Sequence, residues 1–359
     1  MIPKIIAAII LLLSIAQLPA VFAFETDQYN LPPTPLADIG EEVAEYTKEN
    51  LLKAIDNVNV KISSAQTCLK NVTERPTKCE NAKALEERLI YLRSEKAIAR
   101  EVFKQLGAGF VAFAKAGEWM NSHNFRAQPA RYKTSFSHSI YVGLPTDYFT
   151  ISSTVKLYGS SIGTDKIAHF FQQGYTYYRT YERSVAKGLS SDEAVKKAIA
   201  WGKMTERTYY GTLVGGVFSN ADLAANYAGM KFYEGLTKTI ELNGRKRPST
   251  LVLKNGKWGL SESSHNVKNL LSPFISDHLN EALNPSLYIP GLRSSIRGIV
   301  RKQSCPQWLT SFPDKSREDY EEITKSLLRW NGEDYGHKKS EKFVTIANTC
   351  FGESIAIVR

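Results

Sequence analysis

The sequence predicts a mainly α-helical protein: a helical core, an N-terminal αα-hairpin and a small β-hairpin insertion. Three observations predict it. Ile39, Val43, Tyr46, Leu51, Ile55, Val58 and Ile62 recur at helical intervals. Asp165 and His169 stand four apart, as do Asp222 and Asn226, so each pair shares one helix face. Asn243-Gly244 and Asn255-Gly256 are turn signals beside the weakly alternating residues 250–254.

Taken in order, residues 1–23 read as a signal peptide. Lys4 gives a basic start, residues 5–15 are apolar except Ser14, and Val21-Phe22-Ala23 offers small residues for cleavage. This predicts an exported protein, periplasmic or secreted. No cysteine lies near residue 24, so no lipoprotein cleavage site is expected. No later stretch reaches the roughly 18 apolar residues of a membrane span, so no transmembrane segment is expected after signal cleavage. Residues 24–36, with Pro32, Pro33 and Pro35, read as an extended Pro-rich leader.

Residues 37–116 read as the αα-hairpin, one helix over 37–70 and a second over 81–116. Residues 117–163 read as irregular and aromatic, with a short strand at 151–158. Residues 164–236 read as the helical core, three helices at 165–187, 191–210 and 220–236. Thr164, Ser190 or Ser191, and Ser219 are their N-cap candidates. A β-hairpin is expected over 237–262, then a helical C-terminal region over 263–359 broken by prolines 273, 285, 290, 306 and 313.

Cys68, Cys79, Cys305 and Cys350 are an even set in a chain read as exported, which predicts two disulfides. Three pairings are open, and locality favours Cys68–Cys79 with Cys305–Cys350. Zinc ribbons and thioredoxin-like chemistry are not expected, because no C-x-x-C is present.

The chain carries 46 Lys and Arg against 36 Asp and Glu, a formal charge of +10 that signal removal lowers by Lys4 alone. Such a balance favours an anionic envelope polymer or lipid surface as partner, and nucleic acid is not expected for an exported chain. Arg293, Arg297 and Arg301 recur at i, i+4 and i+8 and are the candidate anionic-surface residues; an ordinary solvated face is the alternative.

The candidate site is Asp165, His169, Glu206, Asp222 and Asn226. Helical spacing lets two helices aim these side chains at one point. His with carboxylates is a metal set or an acid–base set, so His169, Glu206 and Asp222 are candidate metal ligands and catalytic residues, and a divalent metal is the cofactor they would take. The competing reading is structural. Asp165 opens a helix where the macrodipole favours it, and Ser219-x-x-Asp222 resembles a capping box. A buried polar network would then account for the rest.

Asp165, Lys166, His169, Phe170, Glu206, Ser219, Asp222, Leu223, Ala225, Asn226 and Gly229 together form D-K-x-x-H-F, a later E, then S-x-x-D-L-x-A-N-x-x-G. This pattern resembles that of VanZ-like proteins and the related YfiM-like envelope lipoproteins. It covers about residues 160–235. The resemblance implies a bacterial envelope location and helices packed around the polar residues; it implies no particular activity. Long segments flank the pattern on both sides.

Two further motifs compete. Gly159-Ser160-Ser161-Ile162-Gly163 matches G-x-S-x-G after an expected strand, so Ser161 is a candidate serine-hydrolase nucleophile. The βα alternation of such a fold is missing. Ser276-Asp277-His278-Leu279-Asn280-Glu281 places two acids around a His; it reads as a surface histidine beside acids, with a place beside the first cluster as the alternative. The functional expectation is therefore an exported, soluble envelope protein, a binding or structural module built on the His/Glu/Asp/Asn cluster. The alternatives are a metal-dependent hydrolase using the same cluster and a serine hydrolase using Ser161.

Overall fold

The structure is a computed structural model that describes residues 25–74, 81–109, 114–143, 151–208, 211–213 and 215–351. The signal-peptide segment 1–23, Cys79, Tyr148 and Phe149 lie outside the described residues. About 56% of the chain is helical and its sheets are small.

Helix α1 (Gly40–Glu74) buries the apolar stripe that the spacing predicts, with Val43, Leu51, Val58 and Ile62 nearly inaccessible. Against it pack α2 (Ala82–Leu92) and α3 (Glu95–Leu106). The second arm, expected as one helix over 81–116, is thus broken. Ser94 breaks it: its hydroxyl accepts from the Ala97 amide at 3.3 Å, capping a new helix. Helix α4 (Lys115–Ser122) follows.

Segment 117–163 is more regular than expected. Strands β1 (Arg131–Tyr132), β2 (Thr154–Leu157) and β3 (Ser160–Gly163) form an antiparallel sheet in that order, with Lys156 opposite Ser161. Strands of two to four residues are too short for their alternation to stand out in the sequence.

The core begins with α5 (Thr164–Ala168), continues through a π-helical turn at His169–Gln173, and resumes as α6 (Gly174–Val185). Thr164 is the first helical residue rather than the cap, and its hydroxyl donates to Asn121 Oδ1 at 3.1 Å. Helix α7 (Ser191–Arg207) opens on a capping box between Ser190 and Glu193. Strand β4 (Val217–Phe218) precedes α8 (Asn220–Gly235), which Ser219 caps through the Asp222 amide at 3.0 Å.

Helix α8 crosses the π turn closely. A Cβ on Gly229 would run into the Phe170 carbonyl, and the Tyr233 hydroxyl donates to the Phe171 carbonyl at 2.9 Å. The π turn widens the helix and turns these carbonyls toward α8. Gly229 gives one of them room and Tyr233 satisfies the other.

Two hairpins stand where one was expected. Strands β5 (Ile240–Leu242) and β6 (Arg245–Arg247) are joined by Asn243-Gly244; β7 (Leu251–Lys254) and β8 (Lys257–Leu260) are joined by Asn255-Gly256. All four turn residues have positive φ, as a two-residue type I′ loop requires. Each Asn-Gly pair therefore closes its own hairpin.

The C-terminal region holds α9 (Lys268–Leu271), β9 (Leu287–Tyr288) paired with β4, α10 (Pro290–Ile299), a π turn at Val300–Ser304, α11 (Cys305–Ser311), α12 (Arg317–Ser326) and α13 (Ile346–Cys350). Prolines 290 and 306 lie in the first turns of α10 and α11, where a missing N–H does no harm. Cys305 and Cys350 are bonded, with Cα atoms 5.1 Å apart, and tie α11 to α13. Cys68 is also disulfide-bonded.

The Pro-rich leader is irregular, with residues 33–35 exposed, but its first part is packed into the fold. Residues 25–30 are all buried. The strap bridges to Ser152 through Thr26, and the Tyr29 hydroxyl donates to the Val344 carbonyl at 2.6 Å. Asp27 accepts from the Asn30 and Ile140 amides. Thr26, Asp27, Gln28, Tyr29 and Asn30 find partners inside, so a stretch that composition marks as solvent-exposed can be buried. Among the described residues no helix is long and apolar enough to cross a membrane.

Gly229→Ala is expected to lower stability by about 1–3 kcal/mol, because the added methyl meets backbone that cannot move aside. Urea unfolding of the variant beside wild type measures it. An unchanged midpoint would mean that α8 and the π turn separate at no cost.

Candidate functional site

Lys166, inaccessible to solvent, occupies the centre of the polar region. Its Nζ lies 2.6 Å from Asp165 Oδ2, 2.5 Å from Asp222 Oδ1, 2.5 Å from Glu281 Oε1 and 4.0 Å from Glu25 Oε2. Each acid is delivered by a different element. The β3–α5 junction brings Asp165 and Lys166, the first turn of α8 brings Asp222, a loop before β9 brings Glu281, and the buried strap brings Glu25.

The acids are held in turn. The Thr26 hydroxyl donates to Asp165 Oδ1 at 2.5 Å, and the Ser219 and Ser286 hydroxyls donate to the two oxygens of Glu281 at 2.6 and 2.5 Å. Glu206, at the end of α7, accepts from the Ser219 amide at 2.9 Å. Ser219 thus caps α8 and links Glu206 to Glu281. Neither oxygen of the buried Glu25 carboxyl has a hydrogen-bond partner among the described residues.

One ammonium faces five buried carboxyl groups, and a dry interior does not hold so many unpaired charges. Burial pulls the lysine down, but the Asp165, Asp222, Glu281 and Glu25 carboxylates outweigh it and hold Lys166 well above the ordinary lysine range. Burial, then repulsion from Asp222, pushes Glu25 well above the usual carboxyl range against the pull of Lys166. Burial and then Asp222 raise Glu206 in the same way, against its bond from the Ser219 amide. Glu281 is raised by burial, with Lys166 opposing. Glu25 and Glu206 are therefore the two acids most strongly biased to the neutral form, and Lys166 serves the others.

All five sequence candidates come together here. His169 Nδ1 is 3.1 Å from Asn226 Oδ1, and its Nε2 is 3.4 Å from Asp222 Oδ2. Its side chain is 16% exposed, against 0–3% for Lys166, Asp165, Asp222, Glu25 and Glu281. His169 is thus the edge of the cluster nearest solvent. Its ring nitrogens face Asn226 and Asp222.

The expected metal set of His169, Glu206 and Asp222 does not form. Asp222 turns Oδ1 to Lys166, Glu206 accepts a backbone amide, and the convergence point is filled by an ammonium. Among the described residues no group of three or more His, Cys, Asp or Glu side chains is arranged to hold a metal ion. The capping reading was half right: Ser219 does cap α8, but the Asp222 carboxylate leaves the cap for Lys166.

Ser161 is no nucleophile elbow. It lies within strand β3 opposite Lys156, and the turn at Tyr158 and Gly159 belongs to the β2–β3 hairpin. Its hydroxyl has no histidine partner among the described residues. His278 engages the Arg329 carbonyl at 2.8 Å and the Ser276 hydroxyl at 3.0 Å. The 276–281 group divides: Asp277 is exposed, but Glu281, expected at the surface, is wholly buried on Lys166. The arginine stripe divides too. Arg301 is exposed, Arg293 is half-buried, and the Arg297 guanidinium is tied to the Phe343 carbonyl at 3.2 Å.

Sequence reasoning missed Lys166 as the centre, and with it Glu25 and Glu281. Lys166 stood in the motif, and a lysine beside the i, i+4 pair was the available signal. Comparison with protein-family models, with curated proteins and with solved structures gave no match.

Removing the ammonium strands Asp165, Asp222 and Glu281 in the interior. Lys166→Met is expected to cost about 3–5 kcal/mol at pH 7, with part recovered at pH 5 as the acids take protons. Denaturant unfolding at both pH values checks this. The raised acids also set a wild-type trend. A carboxyl raised in the folded state stabilises fully below its unfolded value of about 4.5, and that contribution is lost as pH rises through the folded value. Stability should therefore fall from pH 5 toward pH 8. Glu206→Gln, which can still accept from the Ser219 amide, should flatten that fall. A slope equal to wild type would show that Glu206 does not titrate between the two states.

Proposed function

We propose that the chain is an exported envelope protein of the VanZ/YfiM kind, a binding or structural module whose buried charged centre is scaffold rather than active site. The observation that carries this is the fully buried Lys166 ammonium, 2.5–2.6 Å from three carboxylates. That arrangement engages Asp165, Asp222 and Glu281 with the ammonium rather than with a metal or a substrate. The motif positions support the same reading. Asp165, Lys166, Asp222, His169 and Asn226 bond within the centre, and Gly229 lets α8 meet the π turn.

The disulfide between α11 and α13 fits an oxidising compartment, and residues 1–23 supply the export signal. The centre joins strap, sheet, core and C-terminal region, as a module with a rigid, water-excluding interior requires. Binding would then take place on the surface that this interior fixes.

The test pairs metal content with stability. The mature protein, purified without a histidine tag, is expected to carry no stoichiometric metal. His169→Ala is expected to lower stability by about 1–3 kcal/mol through the Asn226 and Asp222 contacts it abandons. One equivalent of metal in wild type, lost in His169→Ala with stability unchanged, would overturn the scaffold reading. Cell fractionation with N-terminal sequencing tests export; an intact residue 1 in the cytoplasmic fraction alone would overturn it.

A further inference from the structure

A cavity of about 280 Å³ opens one layer out from the charged centre, between the buried strap, the β2–β3 hairpin and the C-terminal helices. One wall is aromatic. Trp308 and Phe312 on and just after α11 have ring centres 5.4 Å apart, and Tyr320 on α12 meets Trp308 edge-on at 5.8 Å. Trp308 and Tyr320 are buried, whereas Phe312 is 40% exposed. The other wall carries Asp277 and Ser161, and Lys315 joins the lining.

The polar groups fall into two kinds. Gln28 and Asn280 are fully committed. Both donate to the Ser161 carbonyl at 2.9 Å, Gln28 Oε1 accepts from the Glu281 amide at 2.7 Å, and Asn280 Oδ1 accepts from the Ala282 and Leu283 amides. They make a rigid floor. The Asp277 carboxylate, the Lys315 ammonium and the Ser161 hydroxyl have no hydrogen-bond or ion-pair partner among the described residues. The Tyr320 hydroxyl is buried without a partner, on a side chain only 4% exposed.

Free polar groups opposite an aromatic wall define the ligand's chemistry. A purely apolar ligand would strip water from Asp277 and Ser161 and return nothing. An anion meets Asp277 and a cation meets Lys315. A molecule with C–H faces for the rings and hydroxyls at its edge satisfies both walls. At about 280 Å³, near the lower limit for small-ligand pockets, the cavity has room for a single ring-sized unit.

We propose that this cavity binds one pyranose ring of a neutral sugar, with Phe312 and Trp308 against its C–H face and Asp277 and Ser161 taking its hydroxyls. Unpartnered acid and hydroxyl groups favour a ligand that can bond to them over one of the same shape that cannot. The site uses no residue of the Lys166 centre and does not depend on export.

Saturation-transfer NMR and tryptophan fluorescence test it on the mature protein, with glucose, N-acetylglucosamine and N,N′-diacetylchitobiose as probes and cyclohexanol as a ring-sized control. Saturable binding of at least one sugar is expected, with millimolar or tighter Kd. Phe312→Ala and Asp277→Asn, both at exposed positions and expected to melt as wild type does, should each weaken it by about tenfold or more. Three results would overturn the proposal: no saturable response to any of the sugars, undiminished sugar binding in both variants, or cyclohexanol binding as tightly as the sugars.

Discussion

The fold depends on how a lysine ammonium is kept charged without water. Lys166 cannot be buried bare, since an isolated ammonium in a dry interior loses far more solvation than any packing returns. It is stabilised only where Asp165, Asp222 and Glu281 meet it together, and these lie on three separate stretches of the chain. A chain that brings Asp222 but not Glu281 to Lys166 leaves charge uncompensated. The centre therefore discriminates against partly correct packings more strongly than an apolar contact could. Its net contribution to stability is a separate matter, because desolvation offsets much of the Coulombic gain.

The same centre explains the arrangement of the apolar clusters. One gathers Ile162, Ile167, Phe170, Leu223 and the helices of the N-terminal half; the other gathers Tyr29, Ala282, Tyr288, Val300, Trp308 and the C-terminal helices. Lys166 and Asp222 stand next in sequence to Ile167 and Leu223 of the first, and Glu281 to Ala282 of the second. The ion cluster lies at the seam, and the β4–β9 pairing runs beside it between Val217–Phe218 and Leu287–Tyr288. Polar residues at a seam between two apolar bodies fix their relative placement, where apolar surfaces alone would tolerate sliding.

What could be read from the sequence follows from range. Helical spacing in α1, the caps at Ser190 and Ser219, the Asn-Gly turns, and the i, i+4 pairs of Asp165/His169 and Asp222/Asn226 are all local signals, and each was legible. The break at Ser94 was local too and was passed over because Ala, Leu, Glu and Lys on both sides favour one continuous helix. Glu25 had no local signal, and the 276–281 group that contains Glu281 pointed to no particular partner. The role of both is set by a lysine more than a hundred residues away. Lys166 was visible and misjudged for a general reason: lysine is almost never fully buried unless it is paired, and the pairing was the part that sequence did not display. The leader failed likewise, since three prolines spoke for exposure while the partners that bury residues 25–30 lay far away.

Gln28 links the charged centre to the surface. Its Oε1 takes the amide of Glu281, whose carboxylate is on Lys166, and its Nε2 holds the Ser161 carbonyl at the floor of the outer cavity. Asn280 holds the same carbonyl from the residue next to Glu281. The cavity floor is thus fixed by the backbone that carries the centre's own acids. A disturbance at Lys166 reaches Ser161 through a single side chain, without any need for the centre to touch a ligand. On the scaffold reading proposed above, Asp165, Lys166, Asp222 and Glu281 hold the interior, while Asp277 and Ser161, which have no side-chain partner among the described residues, sit one layer outside it. Buried ionisable clusters are often read as active sites because strong electrostatic perturbation concentrates there. Here burial and the mutual repulsion of the carboxyls account for the raised Glu25 and Glu206, so perturbation alone does not mark a site of chemistry with another molecule.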